Sequence, residues 1–183
     1  MTDSADLSGI NPIAARSQEW LINALFALMR EKSYSDITIT DIATRAELSR
    51  RTFYRNFATK DELIDAYCRR LVDDYVHRMR KADLTKSRDV ALRFFEFWTD
   101  HADFLELLTS SGLSSLLLRK FNEHIGAIFI RTQTPRFDDA VHLEYALAFT
   151  AGGYFNVLFA WLHLGKRETP AEMADAIVSL PGN

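Results

Sequence analysis

The sequence predicts an all-α protein, and three observations point there together. Apolar residues recur at i, i+3, i+4 and i+7 through most of its 183 residues, the spacing that lines one face of a helix. Only seven glycines and four prolines interrupt them, too few for a turn-rich β architecture. Helix-start signals, a Thr followed three residues on by Asp or Glu, stand at 38–41, 59–62 and 169–172.

Each element follows from local signals. Residues 1–11 carry two acids and no base, unlike the charged-then-apolar layout of a secretory signal, and are expected to form a loose arm. A first helix is predicted from Pro12 to about Lys32: Asn11 caps it, Pro12 fits its first turn, and Trp20, Leu21, Ala24, Leu25 and Leu28 give the apolar face. Ser33-Tyr34-Ser35-Asp36 ends it. Thr38 and Asp41 form a capping box that opens a two-turn helix ending near Ala46. Ser49 caps a second short helix over Arg50 to Phe57, and Thr59 to Glu62 opens a long one reaching about Lys81. Ile42, Ala46, Leu48 and Phe53 then sit where a helix-turn-helix buries its internal contacts, and small Ala43 allows close approach. Further helices are predicted at Ser87 to Thr99, Asp100 to Thr109, Leu113 to Thr132, Phe137 to Gly165 and Pro170 to Leu180, the last capped by Thr169 with Glu172. The expected organisation is an arm at 1–11, a helix-turn-helix domain at 12–70 and a C-terminal helical domain for regulation and dimerisation at 71–183.

Charge is distributed unevenly. Arg45, Arg50, Arg51, Arg55 and Lys60 face one acid, Glu47, between residues 45 and 60, while residues 61–183 hold 14 bases against 18 acids. A basic patch on an acidic chain points to a localised anionic partner. In a helix-turn-helix the second helix enters the major groove, and Arg, Thr, Ser and Tyr suit base edges and phosphates. Amides at the helix starts after Thr38 and Thr59 would add phosphate sites, with Lys60 reinforcing the second. The competing reading is a helix face that merely keeps its charges in solvent.

Other classes fare less well. His77, His101, His124, His142 and His163 form no H-E-x-x-H, and there is no phosphate-binding glycine loop and no nucleophile elbow; no enzyme, metal or cofactor is expected. The single cysteine, Cys68, cannot form an intramolecular disulfide, in keeping with a reducing cytoplasm, and its apolar-periodic neighbours make it a packing residue. Tyr145 to Leu164 is apolar but contains Gly152, Gly153, Asn156 and His163, and reads as a buried helix rather than a membrane span.

The stretch ITITDIATRAELSRRTFYRNFATKDELI, Ile37 to Ile64, closely resembles the DNA-binding segment of the tetracycline-repressor (TetR/AcrR) family of bacterial transcriptional regulators. The matching residues are Thr38, Ile42 and Ala43, then Ser49, Thr52-Phe53-Tyr54, Phe57, Lys60 and Leu63, and the first helix extends the similarity over roughly Ala14 to Tyr67. The resemblance implies a homodimer on a palindromic double-stranded operator, commonly a repressor, with a C-terminal domain that dimerises and often holds a small effector. It places Thr38, Ser49, Arg50, Arg51, Thr52, Tyr54, Asn56 and Lys60 at DNA-facing positions, with Arg55 added. Glu47 departs from the family's usual glycine in the inter-helix turn, where a left-handed backbone would be strained by about 1 kcal/mol.

Beyond about Arg70 the similarity is architectural only. Phe94, Phe97, Trp98, His101, Phe104 and Leu108, joined by Phe121, Phe149 and Tyr154, form either a pocket for an apolar or aromatic small molecule or plain core. The helix from Phe137 is apolar nearly all round and calls for cover on both sides. A partner subunit would supply the second cover through Ala148, Gly152, Phe155, Phe159 and Leu162, with Met173, Ala176 and Ile177 from the last helix, in a four-helix bundle; a buried monomer core is the competing account. The whole reads as a homodimeric regulator, against two alternatives: a helical protein-interaction co-regulator without DNA binding, and a chromosome-binding protein that does not act at promoters.

Overall fold

In the computed structural model, residues 12–80, 83, 86–120 and 140–180 are described, and every regular element among them is helical. The arm at 1–11, the capping Asn11, and Phe121 of the aromatic set lie outside the described residues. The chain divides into two compact units, residues 1–67 and 68–183.

The first unit is built on α1 (Pro12–Met29), which sinks Leu21, Ile22 and Leu25 to 1% exposure or less. Buried Ser17 satisfies its hydroxyl by donating to the Ile13 carbonyl at 2.9 Å. The helix stops three residues before the expected Lys32, because residues 30–32 bond back as turns onto Ala27 and Leu28. A 3₁₀ turn, Tyr34–Asp36, follows. The next helix, α2 (Ile39–Arg45), is opened by Thr38 with the full capping box: its hydroxyl accepts from Asp41 N, and Asp41 accepts from Thr38 N. α3 (Arg50–Asn56) is capped by Ser49, which accepts from Thr52 N. Ile42 and Phe53 are fully buried where α2 and α3 meet α1, and Ala43 at 2% exposure permits their close approach. Burying a ring such as Phe53 contributes about 1.5–3 kcal/mol.

The turn between α2 and α3 keeps a left-handed residue. Glu47 has φ 56°, its amide donates to Thr44 O at 3.1 Å and that of Leu48 to Ala43 O at 2.9 Å. That pair of bonds is a Schellman closure, in which glycine is the usual left-handed residue. α4 (Asp61–Met79) begins less regularly than expected. Thr59 accepts from Glu62 N at 3.3 Å, but the Glu62 carboxylate takes the amide of Ala58 rather than that of Thr59, so the capping box is only half made. α4 crosses the division between the units at Tyr67 and Cys68, and Cys68 is buried, as packing requires.

The second unit continues with α5 (Ser87–Asp100), α6 (Ala102–Ser110), α7 (residues 114–120), α8 (Ala140–His163) and α9 (Pro170–Val178). The remainder of the helix expected to Thr132, and the start expected at Phe137, lie outside the described residues. α5 packs along α9, fastened at the surface by Arg88 on Asp175 at 2.6 and 3.3 Å. Thr169 and Glu172 make the expected capping box. The Trp161 indole N–H donates to Glu168 O at 2.9 Å and closes the α8–α9 loop.

Within the chain α8 is covered on one face and open on another. Ala151, Phe155, Leu158 and Trp161 are buried, whereas Val141, Tyr145 and Phe149 are 52%, 70% and 84% exposed. By length and apolarity the stretch Glu144–His163 would pass for a membrane span, a test that core helices of folded proteins also pass.

Candidate nucleic-acid interface

At 100° per residue, Arg50, Tyr54, Arg51 and Arg55 fall within one arc of α3 and Phe53 lies away from it, while Phe57, just past the helix, turns inward on extended backbone. Burial follows that geometry: Phe53 and Phe57 are 0% and 6% exposed, Tyr54 is 52% exposed, and the three arginines are exposed. The Arg50 guanidinium lies 6.0 Å from the centre of the Tyr54 ring, and that ring meets Phe53 edge-on at 5.6 Å. Among the described residues, no side chain of Arg50, Arg51, Tyr54 or Arg55 makes a hydrogen bond or ion pair. These four residues form one exposed surface.

The other expected contact residues are engaged inside the unit. The Ser49 and Thr52 hydroxyls lie 3.0 Å apart, bonded to each other, while Asn56 donates its amide N–H to Thr52 O at 2.8 Å. Thr38 is exposed, but its hydroxyl donates to Asp41 at 2.8 Å in addition to its capping role. Arg45, counted in the basic patch as lacking an acidic partner, holds Glu31 with two bonds of 2.9 and 2.6 Å. The Arg45 bond draws the Glu31 carboxyl below its ordinary pKa, and Glu31 raises that of Arg45. Lys32 on Asp41 at 2.8 Å, together with the Thr38 amide and hydroxyl, holds the Asp41 carboxyl far below the usual range.

The helix-start expectations change for the same reason. Asp41 sits in the first turn of α2, and Asp61 and Glu62 in that of α4, so carboxylates occupy places offered to phosphate. Lys60 is engaged within the head as well. Its ammonium donates to the carbonyls of Tyr34 at 2.5 Å and Ile37 at 2.9 Å, with Ser35 O at 3.4 Å, and lies 4.3 Å from the centre of the Tyr34 ring. The Tyr34 hydroxyl donates to Asp61; burial first, and then that carboxylate, push the phenol well above its ordinary pKa. Sequence reasoning missed this group and the Glu31 partner of Arg45 because the pairs are 14 to 27 residues apart.

In the C-terminal unit the aromatic set resolves towards core. Phe94, Phe97, Trp98, Phe104 and Leu108 are at most 6% exposed. The rings fill space against one another: Phe94 on Tyr154 at 4.9 Å, Phe97 on Trp98 at 5.1 Å, Trp98 on Phe155 at 5.6 Å. His101 is half-buried, stacked on Phe97 at 4.4 Å. Burial raises the Tyr154 phenol to about 12. Phe149 does not join this set, being 84% exposed.

The expected dimer residues divide likewise. Phe155, Met173 and Ile177 are 1%, 6% and 4% exposed within the chain, because α8 and α9 turn them inward. Phe159, Leu162 and Gly152 are half-buried, and Ala148 and Ala176 are exposed. Alanine side chains at Gly152 and Gly153 would meet nothing within 4 Å, so among the described residues no neighbour requires glycine there.

Comparison with known proteins places these features. Residues 21–67 match the family model described as bacterial regulatory proteins, tetR family. The HTH-type transcriptional regulator AlkX of Mycobacterium tuberculosis (strain ATCC 25618 / H37Rv) is 29% identical over 124 residues, covering 62% of this chain and 59% of AlkX; the chain thus matches about three-fifths of that relative's length. Two solved structures share the fold: a tetR-family transcriptional regulator from Streptomyces coelicolor (TM-score 0.59, 22% identity, 88% of this chain and 78% of that one) and the dihydroxyacetone kinase operon activator DhaS (TM-score 0.56, 17% identity, 88% and 92%). Residues 85–180 match a second family model, described as a transcriptional regulator C-terminal region; that span alone is more than half of the 183 residues, and the chain belongs to the tetR family of bacterial transcriptional regulators.

Proposed function

We propose that the chain is a sequence-specific DNA-binding transcriptional regulator that reads a major groove with the exposed arc of α3. One observation carries the reading: Arg50, Arg51, Tyr54 and Arg55 share that arc with no internal side-chain hydrogen bond or ion pair among the described residues, held from behind by Phe53 and Phe57. A cationic surface without acidic partners suits an external polyanion, and arginine suits guanine's paired acceptors. The hydroxyls of Thr38, Ser49 and Thr52 are proposed as secondary contacts.

The proposed active form is a cytoplasmic homodimer on a palindromic operator, since two heads must meet major grooves roughly 34–36 Å apart. The exposed arc of α8, Val141, Tyr145, Ala148 and Phe149, with Ala176 of α9, is the proposed subunit contact. Unneeded smallness at Gly152 and Gly153 supports close helix approach there. The proposed mode is repression relieved by an apolar or aromatic effector, which shifts the population away from the operator-binding state. Such a ligand must part rings that are in contact, Phe94 and Tyr154 foremost.

Salt titration tests the reading. Binding to a cognate duplex should weaken linearly in log–log form, by a slope of about 0.9 for each neutralised phosphate. A purified protein with no salt-sensitive affinity for any genomic fragment would refute DNA binding and leave the protein-interaction alternative. The sign is tested separately. Repression requires that deleting the regulator raise transcription from the bound promoter, and a fall would assign activation, the role DhaS is named for.

A further inference from the structure

We infer that Lys60 is a positioning residue, which clamps the loop between α1 and α2 and thereby sets the start of α2, and is not one of the groups that grip phosphate; this rests on the DNA-binding reading above. An ammonium has three N–H donors and no acceptor. Those of Lys60 meet the carbonyls of Tyr34, Ser35 and Ile37 at 2.5, 3.4 and 2.9 Å, and the Tyr34 ring closes over the same charge at 4.3 Å. All three protons have protein acceptors, so a phosphate would have to displace one of them.

The clamped segment is short and leads directly to a functional residue. Ile37 is buried at 2% exposure, and Thr38, next in sequence, caps α2. Lys60 immediately precedes α4. Its bonds therefore tie the beginning of α4 to the beginning of α2, across 23 to 26 residues of chain, with α3 lying between them in sequence. The Tyr34 hydroxyl, donating to Asp61, adds a second tie between the same two places. Lys32 on Asp41 holds the first turn of α2 from the other side. Hydrogen bonds from a charged donor are the strong ones, and here they fix the loop that leads to Thr38 and the first turn of α2.

Two variants and two readouts test this. Lys60→Met keeps the apolar stem and removes the ammonium; operator affinity at fixed salt should fall roughly tenfold, with the log–log salt slope as in the unsubstituted protein. Loss of a phosphate contact would instead make the slope shallower by about 0.9. In Lys60→Arg the planar guanidinium suits phosphate well but cannot direct its protons as a tripod onto three carbonyls, so affinity should stay low. Amide exchange of Asp41 and Ile42 should quicken in Lys60→Met while that of α5 does not change. A shallower slope, affinity restored by arginine, or unaltered exchange at Asp41 and Ile42 would each overturn the clamp. Absence of salt-sensitive binding by the unsubstituted protein would sink the DNA-binding reading instead, and the exchange measurement would still judge the clamp on its own.

Discussion

Replacing Glu47 by glycine should make the head more stable, and the size of the gain can be worked from the turn. Glu47 stands at φ 56° with the two Schellman bonds made from residues 47 and 48. A residue with a Cβ loses about 1–2 kcal/mol in that region. Glycine removes the clash, but its freer unfolded chain takes back about 0.4–1 kcal/mol. The net expectation is about 0.5–1 kcal/mol of stabilisation, or roughly 2–8 °C in a transition of a 60–100-residue unit. Urea and thermal unfolding followed by circular dichroism measure it, with Glu47→Ala as the control. Alanine removes the same carboxylate and keeps the Cβ, so it should gain little. Equal stability of the glycine and alanine variants would show that backbone strain is not the cause.

Three further outcomes are expected. Arg50→Ala and Arg51→Ala should each relax base preference at one operator position, at about 1–3 kcal/mol for a lost bidentate contact; an unchanged binding-site profile in both would assign the arginines to phosphates. Tyr145→Glu with Phe149→Glu, at residues 70% and 84% exposed, should give a folded monomer by light scattering, whereas Phe155→Glu, at a residue 1% exposed, should lose cooperative unfolding; an unaltered dimer in the former would place the subunit contact elsewhere. Acid should destabilise the fold. Glu31 by Arg45, Asp41 by Lys32, Asp175 by Arg88 and Glu172 by the Thr169 amide are all held below their ordinary pKa values. They bind fewer protons folded than unfolded, so the stability they lend is complete above the unfolded carboxylate values near pH ~4 and drains as pH falls through the lower folded ones. A urea midpoint that rose on acidification below about pH 4 would contradict this assignment.

How far the sequence disclosed the fold depended on whether a signal was local. Thr38, Ser49 and Thr169 cap the helices expected of them, because a cap and its amide are three residues apart. Phe53 was legible as an anchor, and Arg50, Arg51 and Arg55 as the outward face, from periodicity within one seven-residue helix. Long-range pairings left no such trace. Lys60 looks like any lysine at a helix start until Tyr34, Ser35 and Ile37 fold beneath it, and Arg45 looks unpaired until α1 brings up Glu31. α8 failed differently. It is apolar on every side, so periodicity cannot tell Phe149 from Phe155; only packing against α5 turns the second inward.

The division of labour within α3 bears on how such a regulator diversifies. The residues that keep the helix in place, Ser49, Phe53, Phe57 and the Asn56 amide bonded to Thr52, are separate from those that face outward. The side chains of Arg50, Arg51 and Arg55 bond nothing in the head apart from the Arg50 contact with the Tyr54 ring, so exchanging the arginines disturbs no core and breaks no cap. Surface substitutions of that kind usually change stability by no more than about 0.5 kcal/mol. If α3 reads the operator as proposed, a duplicated copy of this gene can drift to a new operator one outward residue at a time, without first passing through an unfolded intermediate.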